Sequence, residues 1–327
     1  MAGQTFSKEE DSGMRRVLLP LVILIVLIAV YLFVQNRETE SIRADKIEGF
    51  VSFNPSKVDS MVVEMPEDTL RFQRLNNNWN IVIDSVPRRA DSAQLAQVVE
   101  MISSIDVGSL VSENPVKQNL YEVDSSAGRL IKVYSQDKNL ASFYLGKNAS
   151  NFNYSYIRKV GSDEVYMAED VMGYRFDKAQ NNWRDKTIIK VDTTALSSIV
   201  FQYPDQEFTL ERRDSLWFLS GDDISGELAA SSDSVELFKR LVWNLQANSF
   251  YLSEDSSSVD PENPELMLTF RYISGGRDEL HVLGGNESKT RYYVGLPELD
   301  EPFVVLHAKY SGLTRRPNNF APAEKNG

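Results

Sequence analysis

The sequence predicts an α+β protein in which an N-terminal transmembrane helix precedes two tandem repeats. Each repeat is expected to be an antiparallel sheet with one helix packed on a face. Three observations lead to this prediction. An apolar run without a charged residue extends from Val17 to Val34. Short segments rich in β-branched and aromatic residues then surround a single amphipathic segment. The same order of segments recurs in the second half of the chain.

The apolar run predicts a membrane anchor. As a helix, Val17 to Val34 is about 27 Å long at about 1.5 Å per residue, close to the hydrocarbon thickness of a bilayer. Leu24 lies near its middle. No small-residue cleavage site follows the run, so we expect residues 17–35 to remain as a signal-anchor that contacts the lipid bilayer through residues 17–34.

The charges that flank the run predict its orientation. Arg15 and Arg16 adjoin it on the N-terminal side, which favours a cytoplasmic tail of residues 1–16. Residues 36–57 then form a linker outside the membrane. We therefore expect a single-pass protein of the bacterial inner membrane whose C-terminal domain is periplasmic or extracellular.

The composition excludes several classes of function. The chain has no cysteine in 327 residues, which rules out disulfides, thiolate metal sites and a cysteine nucleophile. Its net charge of −12 argues against a nucleic-acid partner, because nucleic acid requires a basic face.

The first repeat is predicted over residues 58–189. Three strands, a helix and four further strands are expected in that order. Asp91 or Ser92 is the predicted N-cap of the helix. Apolar residues with helical spacing follow it at positions 95, 98, 99, 102 and 105. The predicted strands are Met61–Met65, Leu70–Leu75, Trp79–Ile83, Leu130–Ser135, Ala141–Gly146, Tyr154–Val160 and Glu164–Ala168.

The second repeat is predicted over residues 196–320, and residues 321–327 form a tail. Trp217 aligns with Trp79, and the closing motif 181–183 aligns with 318–320. Two strands, 266–273 and 279–283, flank a hairpin turn at 274–277. The boundary between the repeats is expected at residues 190–194.

The sequence carries no recognisable catalytic motif. It has two histidines, His281 and His307, which align with the apolar residues Phe143 and Met167 of the first repeat. That alignment favours a packing or surface role over proton transfer. No nucleophile elbow, phosphate-binding loop or zinc motif is present, so no catalytic, cofactor-binding or metal-binding residue is predicted, and no cofactor is expected. Carboxylates are plentiful, and a pair acting on polysaccharide stays open as an alternative.

Tyrosines are the remaining candidates for a binding surface. Tyr154, Tyr156, Tyr292 and Tyr293 lie on related predicted strands. On an exposed face they would bind a sugar or a partner protein. The alternative is that they pack on a half-buried sheet.

Several short motifs together resemble one bacterial family. They are Trp79-Asn80-Ile81, the helix near Ala93–Ile105, Leu145-Gly146, Tyr154–Arg158 and Val165-Tyr166. The chain resembles the family catalogued as domain of unknown function 4340, over roughly 48–190 and more weakly over 196–320.

The resemblance implies an anchored protein with an external domain, often encoded beside ABC-transporter components similar to those of gliding motility. The family often has a Tyr-Gly-Leu step before its middle strands, where this chain has Gln118-Asn119-Leu120. No catalytic residues come with the family.

These observations favour a non-enzymatic envelope protein whose duplicated external domain binds a partner. The expected partner is a membrane protein complex of the ABC-transport or gliding-like type, which the chain would serve as an accessory component. The alternatives are an envelope polysaccharide hydrolase with paired carboxylates and a carbohydrate-binding module.

Overall fold

The computed structural model describes residues 21–32, 46–150, 152–251, 259–297 and 301–322. The chain divides into two compact units, residues 1–185 and 186–327. We call them unit 1 and unit 2. Each unit has one large antiparallel sheet with a helix against its core face, so the predicted α+β class is confirmed.

The sheet of unit 1 has ten strands in the order β1-β6-β10-β9-β8-β7-β2-β3-β4-β5. Every neighbouring pair is antiparallel. The strands are β1 (Ile47–Ser52), β2 (Ser60–Glu64), β3 (Thr69–Leu75), β4 (Asn78–Ile83), β5 (Val86–Arg89), β6 (Ser104–Ser112), β7 (Arg129–Ser135), β8 (Lys138–Asn148), β9 (Tyr154–Lys159) and β10 (Val165–Glu169).

Unit 2 has a nine-stranded sheet in the order β15-β14-β13-β12-β18-β19-β20-β21-β17 and a two-stranded sheet of β11 and β16. Because β11 pairs with β16, the predicted boundary at 190–194 falls inside unit 2. The strands are β11 (Thr187–Ile189), β12 (Leu196–Gln202), β13 (Glu207–Arg213), β14 (Leu216–Gly221), β15 (Leu228–Ala229), β16 (Leu245–Gln246), β17 (Ser249–Phe250), β18 (Leu266–Tyr272), β19 (Arg277–Gly285), β20 (Tyr292–Gly295) and β21 (Phe303–Val305).

The two large sheets share one strand order. Without β1, unit 1 reads β6-β10-β9-β8-β7-β2-β3-β4-β5, and unit 2 reads β17-β21-β20-β19-β18-β12-β13-β14-β15. Each of these strands of unit 1 thus has a counterpart in unit 2 at the same place in the sheet. Strand β1 is the addition that distinguishes unit 1.

Helix α2 (Ser92–Ser103) begins after Asp91, whose Oδ1 accepts hydrogen bonds from the backbone N–H groups of Ala93 and Gln94 at 3.1 and 3.0 Å. The predicted cap is therefore Asp91. The helix ends before Ile105, which was predicted to belong to it. Ile105 is buried in β6 instead, because the apolar residues there alternate with a period of two and not with helical spacing.

Unit 2 contains helix α3 (Ser232–Val242) and the shorter α4 (His307–Leu313). The Oγ atom of Ser231 caps α3 by accepting from the N–H of Ser234 at 3.4 Å. The buried side chains of α3 join the core of unit 2, as those of α2 join the core of unit 1.

Each unit ends in a short 3-10 turn that places an aromatic side chain, Trp183 or Phe320, in its core. The carbonyl of Trp183 accepts from the N–H of Asp91, and the carbonyl of Phe320 accepts from the N–H of Ser231, both at 2.8 Å. Since these donors are the N-cap residues, the last turn of each unit fixes the start of its helix.

Two tryptophans anchor equivalent strands. Trp79 in β4 is 4% exposed and Trp217 in β14 is 7% exposed. Their carbonyls accept from the N–H groups of Ala90 and Ala230, at 2.9 and 2.8 Å. In each unit, therefore, the carbonyl of the buried tryptophan also forms a hydrogen bond with the residue that precedes the helix N-cap.

Residues 21–32 form helix α1, and its large apolar side chains are exposed. Within the described residues, no helix combines the length and the apolar character that crossing a membrane requires. Leu24 lies on α1, whereas Val17 and Val34 fall outside the described residues. The predicted tail 1–16, residues 36–45 of the predicted linker and positions 323–327 also lie outside them. The remaining part of the predicted linker is described, and it contains β1, a strand of the sheet of unit 1.

Candidate functional site

The four predicted binding tyrosines do not form an exposed face. Tyr154, Tyr292 and Tyr293 are only 2%, 5% and 0% exposed, which contradicts the exposed-face hypothesis for these three. Tyr156 is half-buried, and its ring lies 4.7 Å from that of Tyr121. At these positions the side chains pack within the sheet, which is the alternative that the sequence leaves open.

Neighbouring residues Tyr292 and Tyr293 are both buried because both faces of β20 are covered. Tyr292 belongs to the main core of unit 2. Tyr293 belongs to a second cluster on the opposite face, with Leu283 and Val304, and its ring lies 6.0 Å from that of Tyr251. Alternation along a strand sends adjacent side chains to opposite faces, but it does not show that both faces are covered.

The strand registers correct the alignment of His281. Phe143 pairs with Ile131 in unit 1, and Leu280 pairs with Leu268 at the equivalent place in unit 2. Leu280 therefore holds the position of Phe143. His281 lies on the other face of β19, where its Nε2 is 2.7 Å from Glu279. A shift of one residue exchanges the two faces of a strand, so the aligned pair was wrong.

His307 is also not the strand residue that its alignment with Met167 predicted. It is the first residue of α4, where it is exposed, and its Nδ1 lies 3.0 Å from the hydroxyl of Tyr292. Within the described residues, no serine or threonine hydroxyl bonds to either histidine ring. Neither histidine thus forms a nucleophile–base pair with such a hydroxyl.

Unit 2 contains an open cleft of about 460 Å³. We call it the tyrosine cleft. The turn between β12 and β13 forms one wall, and α4 with the residues after it forms another. Its lining residues are Tyr203, Pro204, Asp205, Glu265, Tyr310, Thr314 and Arg316.

The guanidinium of Arg316 occupies one side of the tyrosine cleft. The guanidinium carbon of Arg316 lies 3.8 Å from the ring centroid of Tyr203. Its Nη1 lies 3.0 and 3.2 Å from the two carboxylate oxygens of Asp205. Hydrogen bonding from Arg316 lowers the pKa of Asp205. The hydroxyl of Tyr203 donates to the carbonyl of Arg315 at 2.7 Å, and burial raises the pKa of this phenol.

A second tyrosine and carboxylate lie on the other side. The hydroxyl of Tyr310 donates to Oε2 of Glu265 at 2.8 Å, and its ring stacks on Tyr292 with centroids 3.9 Å apart. Burial, followed by the bond to Glu265, raises the pKa of Tyr310. A Cβ at Gly284 would lie 2.8 Å from Oε1 of Glu265, so glycine gives this carboxylate its room against β19.

Unit 1 differs at the corresponding place. Gly173 begins the turn after β10, where unit 2 has α4, and the side chain of Arg129 lies against it. Arg129 makes two bonds of 2.6 Å to the carboxylate of Asp177 and a third to the carbonyl of Gly146. An ion pair thus occupies the region in which unit 2 has a tyrosine.

Unit 1 has a smaller cavity of about 340 Å³ beside β6 and β10. Lys46 and Asp106 form an ion pair of 2.9 Å at its edge. Hydrogen bonding from Lys46, and then from the N–H of Gly49, lowers the pKa of Asp106. No cluster of three or more potential metal ligands occurs among the described residues.

Sequence reasoning did not find the tyrosine cleft. None of its lining residues is among the predicted binding residues. Tyr203, Glu265 and Tyr310 lie in three separate stretches of sequence, which the sheet and α4 bring together. The Tyr203-Pro204-Asp205 turn, where unit 1 has Met65-Pro66-Glu67, was the one local signal of the difference.

Comparison with known proteins identifies one family. No curated protein and no solved structure matches the chain. The model of a family described as a domain of unknown function, DUF4340, matches residues 79–264. The match is one continuous stretch that begins at Trp79 in unit 1 and extends into unit 2, and it does not follow the expected division into 48–190 and 196–320. It covers more than half of the sequence, and the chain therefore belongs to the DUF4340 family.

Proposed function

We propose that this chain is a non-enzymatic, single-pass protein of a bacterial envelope whose external units bind a partner. The partner is a membrane protein complex of the ABC-transport or gliding-like type, in which the chain is an accessory component. The observation that carries the proposal is α1. Its apolar side chains are exposed over residues 21–32, where a soluble protein would bury such residues.

We further propose that units 1 and 2 arose by duplication. Their common strand order supports this, and so do the matching hydrogen bonds from Asp91 to Trp183 and from Ser231 to Phe320. Two related units give one chain two related surfaces. Such an arrangement suits an accessory protein that bridges components of a complex.

The enzymatic alternative receives little support from the tyrosine cleft. It has two carboxylates, as a glycosidase requires. The carboxylate of Asp205, however, is already occupied by the guanidinium of Arg316, at 3.0 and 3.2 Å. Glu265 already accepts a hydrogen bond from Tyr310.

Site-specific photocrosslinking in native membranes tests the proposal. The photoreactive residue replaces Val116 in unit 1 or Ile273 in unit 2, which are exposed apolar residues whose replacement leaves the cores intact. The same two variants without irradiation are the matched control. We expect both exposed positions, but not the control, to capture a polytopic transport component.

A second arm addresses the anchor. Replacing residues 17–34 with a cleavable signal sequence should release the external units and abolish the capture. Capture of polysaccharide alone, or equal capture after release, would contradict the proposed function.

A further inference from the structure

We propose that the tyrosine cleft of unit 2 binds a guanidinium or alkylammonium group, supplied by a basic side chain of the partner protein. Tyr310 and Glu265 are the residues that would hold it. The inference deepens the proposed function and rests on it for the existence of a partner. The chemistry of the cleft can nevertheless be tested with small probes alone.

The cleft already binds one cation from its own chain. Arg316 lies over the ring of Tyr203 at 3.8 Å and contacts both oxygens of Asp205. An aromatic face together with a carboxylate is a recognised binding arrangement for guanidinium and ammonium groups. Tyr203 and Asp205 therefore form a filled example of such a site.

Tyr310 and Glu265 provide a second pair of an aromatic ring and a carboxylate in the cleft. Among the described residues, no lysine or arginine nitrogen lies within ion-pair distance of Glu265. Its Oε2 accepts from Tyr310, and a carboxylate has about four acceptor positions. Glu265 is exposed, so an incoming donor reaches it.

The charge of the cleft favours a cationic ligand. The cleft contains the carboxylates of Asp205 and Glu265 and one guanidinium, that of Arg316, which already contacts Asp205. An anionic ligand would be repelled by the remaining carboxylate. The net charge of −12 for the whole chain attracts basic partners in the same way.

Unit 1 differs from unit 2 in the side chains at this place. At the corresponding place, Arg129 is fixed by Asp177 and lies against Gly173, so a paired cation lies where unit 2 has the ring of Tyr310. The two units therefore differ in one binding function while sharing a strand order.

Calorimetric titration of the full chain in detergent at low salt tests the inference. The probes are N-acetyl-arginine methylamide and its neutral isostere N-acetyl-citrulline methylamide. Loss of the positive charge should weaken binding about tenfold, because the ion pair and the cation–π contact both disappear. Equal affinities for the two probes would overturn the proposal.

Two substitutions locate the site. Glu265→Gln should weaken binding of the arginine probe about fivefold or more, since it removes the charge with little change of shape. Glu262→Gln, which removes the same charge from the same segment outside the cleft, should change affinity by less than about twofold. Tyr310→Leu should also weaken binding, with circular dichroism verifying the fold. If Glu265→Gln binds as well as the parent protein, the proposal fails, whether or not Tyr310→Leu folds.

A further arm distinguishes the source of the cation. A capped Gly-Arg-Gly peptide should bind more tightly than methylguanidinium, which carries the same single charge without a peptide, if the ligand is a protein side chain. Equal or tighter binding of methylguanidinium would overturn that assignment. Because this titration uses no membrane partner, it fails or succeeds independently of the crosslinking experiment.

Discussion

Arg74 and Trp79 face each other across β3 and β4, and the guanidinium carbon of Arg74 lies 4.9 Å from the centroid of the indole. In unit 2, Arg212 and Trp217 face each other in the same way across β13 and β14. Cross-strand neighbours of this kind stabilise a sheet locally. In each unit, therefore, an arginine is the cross-strand neighbour of the buried tryptophan.

Truncating either indole should destabilise the protein strongly. Trp79→Ala and Trp217→Ala each remove a large buried side chain and leave a cavity, which costs about 3 to 5 kcal/mol. Urea unfolding followed by circular dichroism measures the loss. Trp243→Ala is the matched control, because Trp243 is 59% exposed and its loss should cost about 0.5 kcal/mol or less. Equal losses at Trp79 and Trp243 would contradict the assignment of Trp79 to the core.

The two helix caps should differ in strength. Asp91 accepts two hydrogen bonds at 3.0 and 3.1 Å, whereas Ser231 accepts one at 3.4 Å. Asp91→Ala should therefore cost about 1 to 2 kcal/mol, and Ser231→Ala about 0.5 kcal/mol. Thermal unfolding of both variants gives the order, and a larger loss for Ser231→Ala would refute it.

The tyrosine cleft should make stability sensitive to alkaline pH. Burial raises the pKa of Tyr203 and of Tyr310 above the usual value of about 10. A raised folded-state pKa gives stability that is complete below pH about 10 and is lost as the pH rises toward the folded-state value. Tyr203→Phe and Tyr310→Phe should each reduce this alkaline loss. Tyr174→Phe, at an exposed position, should leave the stability profile unchanged.

The contact between Tyr292 and His307 should be measurable as a coupling. The ring nitrogen and the hydroxyl lie 3.0 Å apart, and such a bond contributes about 0.5 to 1.5 kcal/mol. We expect Tyr292→Phe, His307→Phe and the double variant to give a coupling of that size in a double-mutant cycle. Additive losses would show that the two side chains do not interact in solution.

The topology can be tested with a reporter fused after Gly327. Arg15 and Arg16 predict a cytoplasmic N-terminus, so the reporter should be external. The mature chain should retain Met14, because no cleavage site follows the apolar run. A cytoplasmic reporter signal, or a mature N-terminus beyond Phe33, would contradict the anchor.

Local patterns were sufficient to predict most strands of unit 1. The turns at Pro66-Glu67-Asp68 and Asn76-Asn77-Asn78 separate β2, β3 and β4 almost where the sequence places them. Asn76 and Asn77 adopt positive φ angles, which asparagine tolerates better than most residues. Residues with such strong turn preferences allow the ends of strands to be predicted from the sequence.

Elements without such signals were missed. Helix α4 has no side-chain cap at Leu306 and contains Gly312, which weakens any helical pattern. Packing holds it instead, through Leu313 in the core and through the stack of Tyr310 on Tyr292. The tyrosine cleft depends on α4, so it could not be predicted before the tertiary structure was known.

Each closing turn brings the end of its unit to the start of its helix. The backbone N–H of Asp91 gains its partner only when Trp183, at the end of unit 1, reaches it, and the N–H of Ser231 likewise waits for Phe320. Such contacts between distant residues slow folding, because a long loop must close first. During synthesis, however, unit 1 receives its last residue before unit 2 has begun. Unit 1 can therefore complete its sheet before the strands of unit 2, which have the same order in their own sheet, are present to compete for pairing.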